Sequence, residues 1–116
     1  NKALKVRRLI KEDFYRVLGS CDVYLCPVSP APAYKVGETV NDHMSLYLAD
    51  IFTVTANLTG VPAMSFPAGF TAVALPVGMQ LYARGLEEAK LFNAVHTFQL
   101  NTDHHTKRAA LKGGQA

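Results

Sequence analysis

Ala49-Asp50-Ile51-Phe52-Thr53-Val54-Thr55-Ala56-Asn57-Leu58-Thr59-Gly60-Val61-Pro62-Ala63-Met64-Ser65-Phe66-Pro67-Ala68-Gly69-Phe70 is the stretch on which the fold of this chain turns. Its first half completes a helical pattern over about 42–58, as one helix or a pair of short ones. Met44, Tyr47, Leu48, Ile51, Val54, Thr55 and Leu58 share one face. Leu46 and Phe52 widen that face beyond a surface stripe, so the pattern predicts burial on most sides. Gly60 supplies a left-handed stop and Pro62 blocks continuation. Ala63-Met64-Ser65-Phe66 then reads as a strand stopped by Pro67. An apolar helix delivered to a strand through a glycine cap is an α/β arrangement.

The flanking sequence repeats that grammar. Residues 2–19 predict an amphipathic helix with Val6, Leu9, Ile10, Phe14, Val17 and Leu18 on its apolar face, stopped by Gly19 and Ser20. Residues 22–26 form an apolar strand ended by Pro27. Pro27, Pro30, Pro32 and Gly37 make 27–41 a loop with extended segments. A second strand follows Ala63–Phe66 at Val77–Tyr82, and the connector between them lacks the Gly, Asn or Asp of a tight hairpin. The last helix spans 86–101, with Leu91, Ala94, Val95 and Phe98 facing the core and Glu87 and Glu88 at its favourable positive end. The chain thus reads as one α/β unit over residues 1–101, a few mixed strands packed with about three helices, and a flexible tail over 102–116.

Composition narrows the function classes. The 116 residues are 49% apolar and 18% charged, against about 25% charged in an average soluble domain. That shortage suits either a small domain with a rich core or a piece that other protein covers. No apolar run approaches the ~18 residues of a membrane span, and the chain reads as cytoplasmic. The net charge of +3 sits in basic clusters at Lys2–Lys11 and Lys107–Lys112. No aromatic residues interleave with them, so they read as solvated helix faces, and no nucleic-acid contact is expected. Cys21 and Cys26 lie at an odd offset on a strand and point to opposite faces, which predicts two buried, reduced thiols.

Asp50 is the polar residue that stands out chemically. Its helical neighbours Leu46, Tyr47, Thr53 and Val54 are mostly apolar, and a carboxylate buried among them needs a cation or several donors. Two roles satisfy it: capping a second helix, with Thr53 three residues on, or holding a ligand ammonium. Asn57 and Gln80 are lone polar residues that satisfy local backbone. Ser29 and Ser65 are hydroxyls beside prolines without an implied His or Lys base. His43, His96, His104 and His105 form no metal set, and no phosphate loop or nucleophile elbow is present. No metal or cofactor is expected.

Seven segments, in order, resemble the C-terminal part of the amidase-signature family. They are Lys5–Phe14, Asp22-Val23 to Pro27, Ala33–Glu38, Met44–Asp50, Asn57–Pro62, Phe66–Phe70 and Leu75–Leu81, followed by the helix opened by Glu87-Glu88. Tyr34–Glu38 and Met44–Asp50 are most similar to the A subunits of glutamyl-tRNA(Gln)/aspartyl-tRNA(Asn) amidotransferases. The resemblance implies the C-terminal part of the amidase-signature fold, in an enzyme that hydrolyses glutamine through a Ser-Ser-Lys triad and supplies ammonia to an aminoacyl-tRNA. Those three residues match no position here, so it implies no catalytic residue in this chain and no activity for it alone. It also implies that Asp50 holds the α-amino group of substrate glutamine. The implied partners are the remainder of the amidase polypeptide and the other amidotransferase subunits. The alternative is a free-standing, non-catalytic α/β module that self-associates or binds a protein partner. One departure is local: Ala72-Val73-Ala74 stands where relatives place a Gly- or Asp-containing turn.

Overall fold

The antiparallel pairing of three strands organises the molecule, seen in a computed structural model that describes residues 1–37 and 43–108. In chain order the elements are α1 (Lys2–Val17), β1 (Tyr24–Pro27), α2 (His43–Ala49), α3 (Val54–Thr59), β2 (Ala63–Phe70), β3 (Pro76–Tyr82) and α4 (Glu88–Leu100). Residues 38–42, the His43, Ser45 and Leu46 side chains, and the tail from 109 to 116 with Lys112 lie outside the described residues. The sheet order is β1-β3-β2, which puts β3 in the centre.

Alternation along β3 divides the core in two. Leu81 and the following Ala83 face α4, where they pack with Phe66, Leu91 and Val95. Gln80 and Tyr82 face the other way, and Tyr82 joins Leu18, Cys26 and Val61 beneath Phe14, Tyr15 and Ala56. Helices α1 and α3 cover this second face. Phe14 meets Tyr82 edge-on with ring centroids 5.2 Å apart and Tyr24 at 5.8 Å, a geometry that aligns ring edges with π faces.

Strand β2 departs from the sequence pattern in an instructive way, while the middle region forms the pair of short helices that the pattern allowed. Strand β2 runs through Pro67 to Phe70 instead of stopping there, with an irregularity between Pro67 and Gly69. An edge strand tolerates a proline, because its missing N–H costs no ladder bond on the open side. The middle helix is split: α2 ends at Ala49 and α3 begins at Val54, joined by a turn over residues 50–53. Gly60 closes α3 at φ 68°, in the left-handed region, and its N–H bonds the Ala56 carbonyl at 2.8 Å. After α4, a turn forms where the Thr106 N–H meets the Asp103 carbonyl at 3.1 Å, and His104 stacks on Phe98.

The apolar faces are only partly covered. On α1, Val6, Leu9 and Val17 are exposed, and Phe14 and Tyr15 are the side chains it packs on the core of buried residues. The predicted burial of the middle helix on most sides is not met: Tyr47 is 78% exposed and Met44 64%, with Ile51 and Val54 also open. Two small cores, one per sheet face, leave the outer sides of the helices uncovered. Cys26 is buried as expected, but Cys21 is exposed, because it lies in the connection between α1 and β1 rather than within the strand.

Candidate functional site

Asp50 lies at the start of the turn between α2 and α3. Its carbonyl carries the junction, accepting the Thr53 N–H and the Val54 N–H at 3.0 Å each and the Thr53 hydroxyl at 3.2 Å. Thr53, not Asp50, occupies the N-cap position of α3, and it makes no side-chain cap bond. The capping role for the Asp50 carboxylate is therefore corrected: the helix begins four residues later, out of reach of an Asx-type cap. Burial of Asp50 is corrected too, since the residue is exposed. A solvated carboxylate needs no internal cation, so in this chain Asp50 is available to a ligand without being forced to have one.

The turn is gripped from the sheet. The Phe52 carbonyl accepts a hydrogen bond from Gln80 Nε2 at 3.1 Å and a second from the Tyr82 hydroxyl. Gln80 Nε2 also donates to the Pro27 carbonyl at 3.0 Å, tying the same amide to the end of β1. Gln80 is 4% exposed and Tyr82 1%. Both donors reach one carbonyl because residues two apart on a strand share a face. Gln80 thus satisfies distant backbone rather than local backbone. Tyr82 carries no polar role in the sequence pattern; its place two residues after Gln80 on the central strand is the signal that could have revealed one. Burial raises the Tyr82 phenol above its ordinary value, and the neighbouring Cys26 adds to the shift. Burial likewise raises the Cys26 thiol, partly offset by hydrogen bonding to Gln80 and Tyr82.

Beside this clamp the proline-rich loop and β3 border an open groove of about 570 Å³, lined by Pro27, Pro30, Tyr34, Val77 and Met79 among others. The lining is mainly apolar, and Gly78 lets the loop pass closely, since a Cβ there would meet Val28 Cγ2 at 3.3 Å. The Ser29 hydroxyl donates to the Ala31 carbonyl at 2.9 Å. Ser65 is exposed on β2, opposite Gln80 in register. Among the described residues, no hydrogen bond joins either serine to a histidine or lysine. Nor do three or more His, Cys, Asp or Glu side chains converge as a metal site among them.

Arg7 and Arg84 work as caps. Arg7 Nε donates to the Leu58 carbonyl at 2.7 Å and Nη2 to the Asn57 carbonyl at 3.3 Å, at the C-terminal end of α3. Arg84 Nε donates to the Leu18 carbonyl at 3.0 Å, just beyond α1. Helix C-terminal carbonyls favour cations in these places. Arg7 makes these bonds while remaining on the exposed basic face that the sequence suggested. Asn57 contributes only its carbonyl here, and His96 is exposed on α4.

A three-stranded antiparallel sheet flanked by helices, with an exposed carboxylate at the α2–α3 turn, defines an α/β fold. The chain belongs to the amidase family, whose sequence profile it matches over residues 1–92. It is 49% identical to the A subunit of glutamyl-tRNA(Gln) amidotransferase from Ralstonia nicotianae over 109 residues, which cover 94% of this chain and 22% of that protein. It is 51% identical to the corresponding protein from Rhodopirellula baltica, over 93% of this chain and 22% of the relative. The crystal structure of the Thermotoga maritima homologue of the same name superposes with a TM-score of 0.74 at 48% identity, over 79% of this chain and 20% of that one. The chain thus spans about a fifth of the length of these relatives. Among the described residues, no helix is long and apolar enough to cross a membrane.

Proposed function

We propose that this chain forms one wall of the glutamine pocket in the A subunit of a glutamine-dependent aminoacyl-tRNA amidotransferase, with the Asp50 carboxylate receiving the substrate's α-ammonium group. The observation that carries this reading is the 48–51% identity to A subunits of glutamyl-tRNA(Gln) amidotransferase along more than nine-tenths of the chain. The segment bearing Asp50 is among those that resemble these subunits most. In this role the chain supplies sheet, helices and a binding carboxylate, while the nucleophile, base and oxyanion donors come from protein outside it. Its partners are then the rest of the amidase polypeptide and the other amidotransferase subunits, and its compartment is the cytoplasm.

The test is a titration of the isotope-labelled chain with L-glutamine, followed by amide NMR. Shifts centred on Asp50 and weakened or lost in Asp50→Ala support the reading. A well-dispersed spectrum unchanged at high millimolar glutamine refutes it. Glutaminase activity of the chain alone would refute the division of labour, because no described base activates a serine.

The uncovered helix faces favour a second reading, a module that buries them against another copy of itself. Large exposed apolar patches drive association. Sedimentation velocity separates the two: a monomer at high concentration removes the self-association reading.

A further inference from the structure

We propose that Gln80 and Tyr82 are positioning residues for Asp50: by holding the Phe52 carbonyl they fix the 50–53 turn to the central strand and set where its carboxylate stands. The ligand half of this inference rests on the glutamine-pocket reading; the positioning half does not.

Two observations single out this clamp. First, the side chains that make it are among the most buried of the described residues, Tyr82 at 1% and Gln80 at 4%, whereas Asp50 and Ile51 in the turn they hold are exposed. Buried polar groups need partners, and here both find the same backbone oxygen. Second, the described side chains of α2 give the turn little anchorage on that side, whereas α3 is tied to α1. Helix α2 has seven residues and α3 six, both too short to be stable by themselves. Tyr47, Leu48, Ile51 and Val54 are all exposed. Phe52 is two residues from Asp50, and the Asp50 carbonyl is bonded to Thr53 and Val54. Fixing the Phe52 carbonyl therefore fixes the three-residue step that carries Asp50.

The same Gln80 amide extends the device. Its bond to the Pro27 carbonyl anchors the first residue of the groove-lining loop to the atom that holds the Asp50 turn. The apolar groove and the carboxylate are thereby indexed to one strand position. A displacement of β3 relative to either would be felt by both.

The experiment uses the whole labelled chain and the variants Tyr82→Phe and Gln80→Met, each keeping shape while removing donors. The first readout needs no ligand: hydrogen exchange of the Thr53 and Val54 amides and the carbonyl ¹³C shift of Phe52. Loss of one hydrogen bond predicts about fivefold faster exchange at those two amides. Met64 and Phe66 of β2 should stay protected and the Phe52 carbonyl signal should move upfield. Unchanged exchange and an unmoved carbonyl in a folded Tyr82→Phe overturn the positioning role, whatever glutamine does. If Gln80→Met does not fold, Tyr82→Phe alone decides. The second readout is the L-glutamine titration, where each variant is expected to bind about two- to fivefold more weakly than wild type. Variants that loosen the turn yet bind glutamine like the wild type overturn the link to Asp50. A wild-type chain blind to glutamine whose turn loosens in both variants sinks the glutamine-pocket reading and leaves the clamp standing.

Discussion

Replacing Ala74 by glycine should stabilise this protein, against the usual direction of an alanine-to-glycine change. Ala74 sits at φ 62°, in the left-handed region, at the end of the β2–β3 connection. The Ala74 N–H bonds the Thr71 carbonyl at 2.9 Å and the Thr71 N–H bonds the Leu75 carbonyl at 2.8 Å. The Leu75 N–H adds a bond to the Thr71 hydroxyl at 3.1 Å. This is a three-residue hairpin loop whose last position is left-handed and ordinarily glycine. A Cβ in that region costs about 1–2 kcal/mol, while glycine's extra freedom in the unfolded chain returns about 0.4–1 kcal/mol. Ala74 is exposed, so its methyl group contributes little burial. The net expectation is a gain of about 0.5–1 kcal/mol, or roughly 2–6 °C in melting temperature for a domain of this size. Differential scanning calorimetry on Ala74→Gly and Ala72→Gly gives the contrast. Ala72 is exposed and is not among the non-glycine residues at positive φ, so its change to glycine should cost about 0.4–1 kcal/mol. If both variants fall in melting temperature, the left-handed strain at Ala74 is refuted.

Other perturbations test other parts of the fold. Leu86 has φ 69° and is 95% exposed, so Leu86→Gly should also raise the urea midpoint; a lowered midpoint would contradict its being strained. Gly60→Ala should lower stability by about 1 kcal/mol, read in urea, because the α3 cap at φ 68° disfavours any Cβ. Arg7→Met should weaken α3 by about 0.5 kcal/mol through loss of its carbonyl cap, seen as faster amide exchange in Val54–Thr59 while α4 is unaffected. Cys26 and Tyr82 both hold their protons more tightly folded than unfolded. Stability should therefore be complete below the ordinary thiol value and fall as pH rises through it, then fall again through the phenol range. Cys26→Ala should abolish the first fall and keep the second. At neutral pH a maleimide should label the exposed Cys21 and spare Cys26 until urea is added.

Local signals in the sequence carried the elements well and their surroundings poorly. Helical spacing located α1 and α4, and Gly60 announced the end of α3, because those cues act within one turn of backbone. The continuation of β2 through Pro67 depended on its place at the sheet edge, which is decided by pairing with β3 and cannot be read from the strand itself. Gln80 stood out as a polar residue among apolar ones, but its partners Pro27 and Phe52 lie 53 and 28 residues away. Tyr82 passed as an ordinary strand aromatic because a phenol's polar end leaves no trace in an apolar pattern. For Asp50, the apolar neighbours suggested burial. Periodicity reports that a face wants covering, and here the described residues of the chain do not cover it.

That mismatch bears directly on how Asp50 would act. Tyr47 precedes it by three positions and Ile51 follows it, and both are exposed alongside the carboxylate. Protein laid over those two side chains would also remove water from Asp50. A desolvated carboxylate is costly until a cation or several donors reach it, so covering the face creates the demand that a ligand ammonium meets. Exposed, the same carboxylate interacts with an ammonium mainly through solvent, in which a charge pair contributes little. The weak, millimolar glutamine response expected of this chain and a tight response in a covered one follow from one cause. An Asp50→Asn change separates them further: in the exposed chain it should weaken the response by no more than about fivefold, and in a covered one it should cost far more affinity for the ammonium while sparing the fold, because the neutral amide no longer has a charge to be compensated.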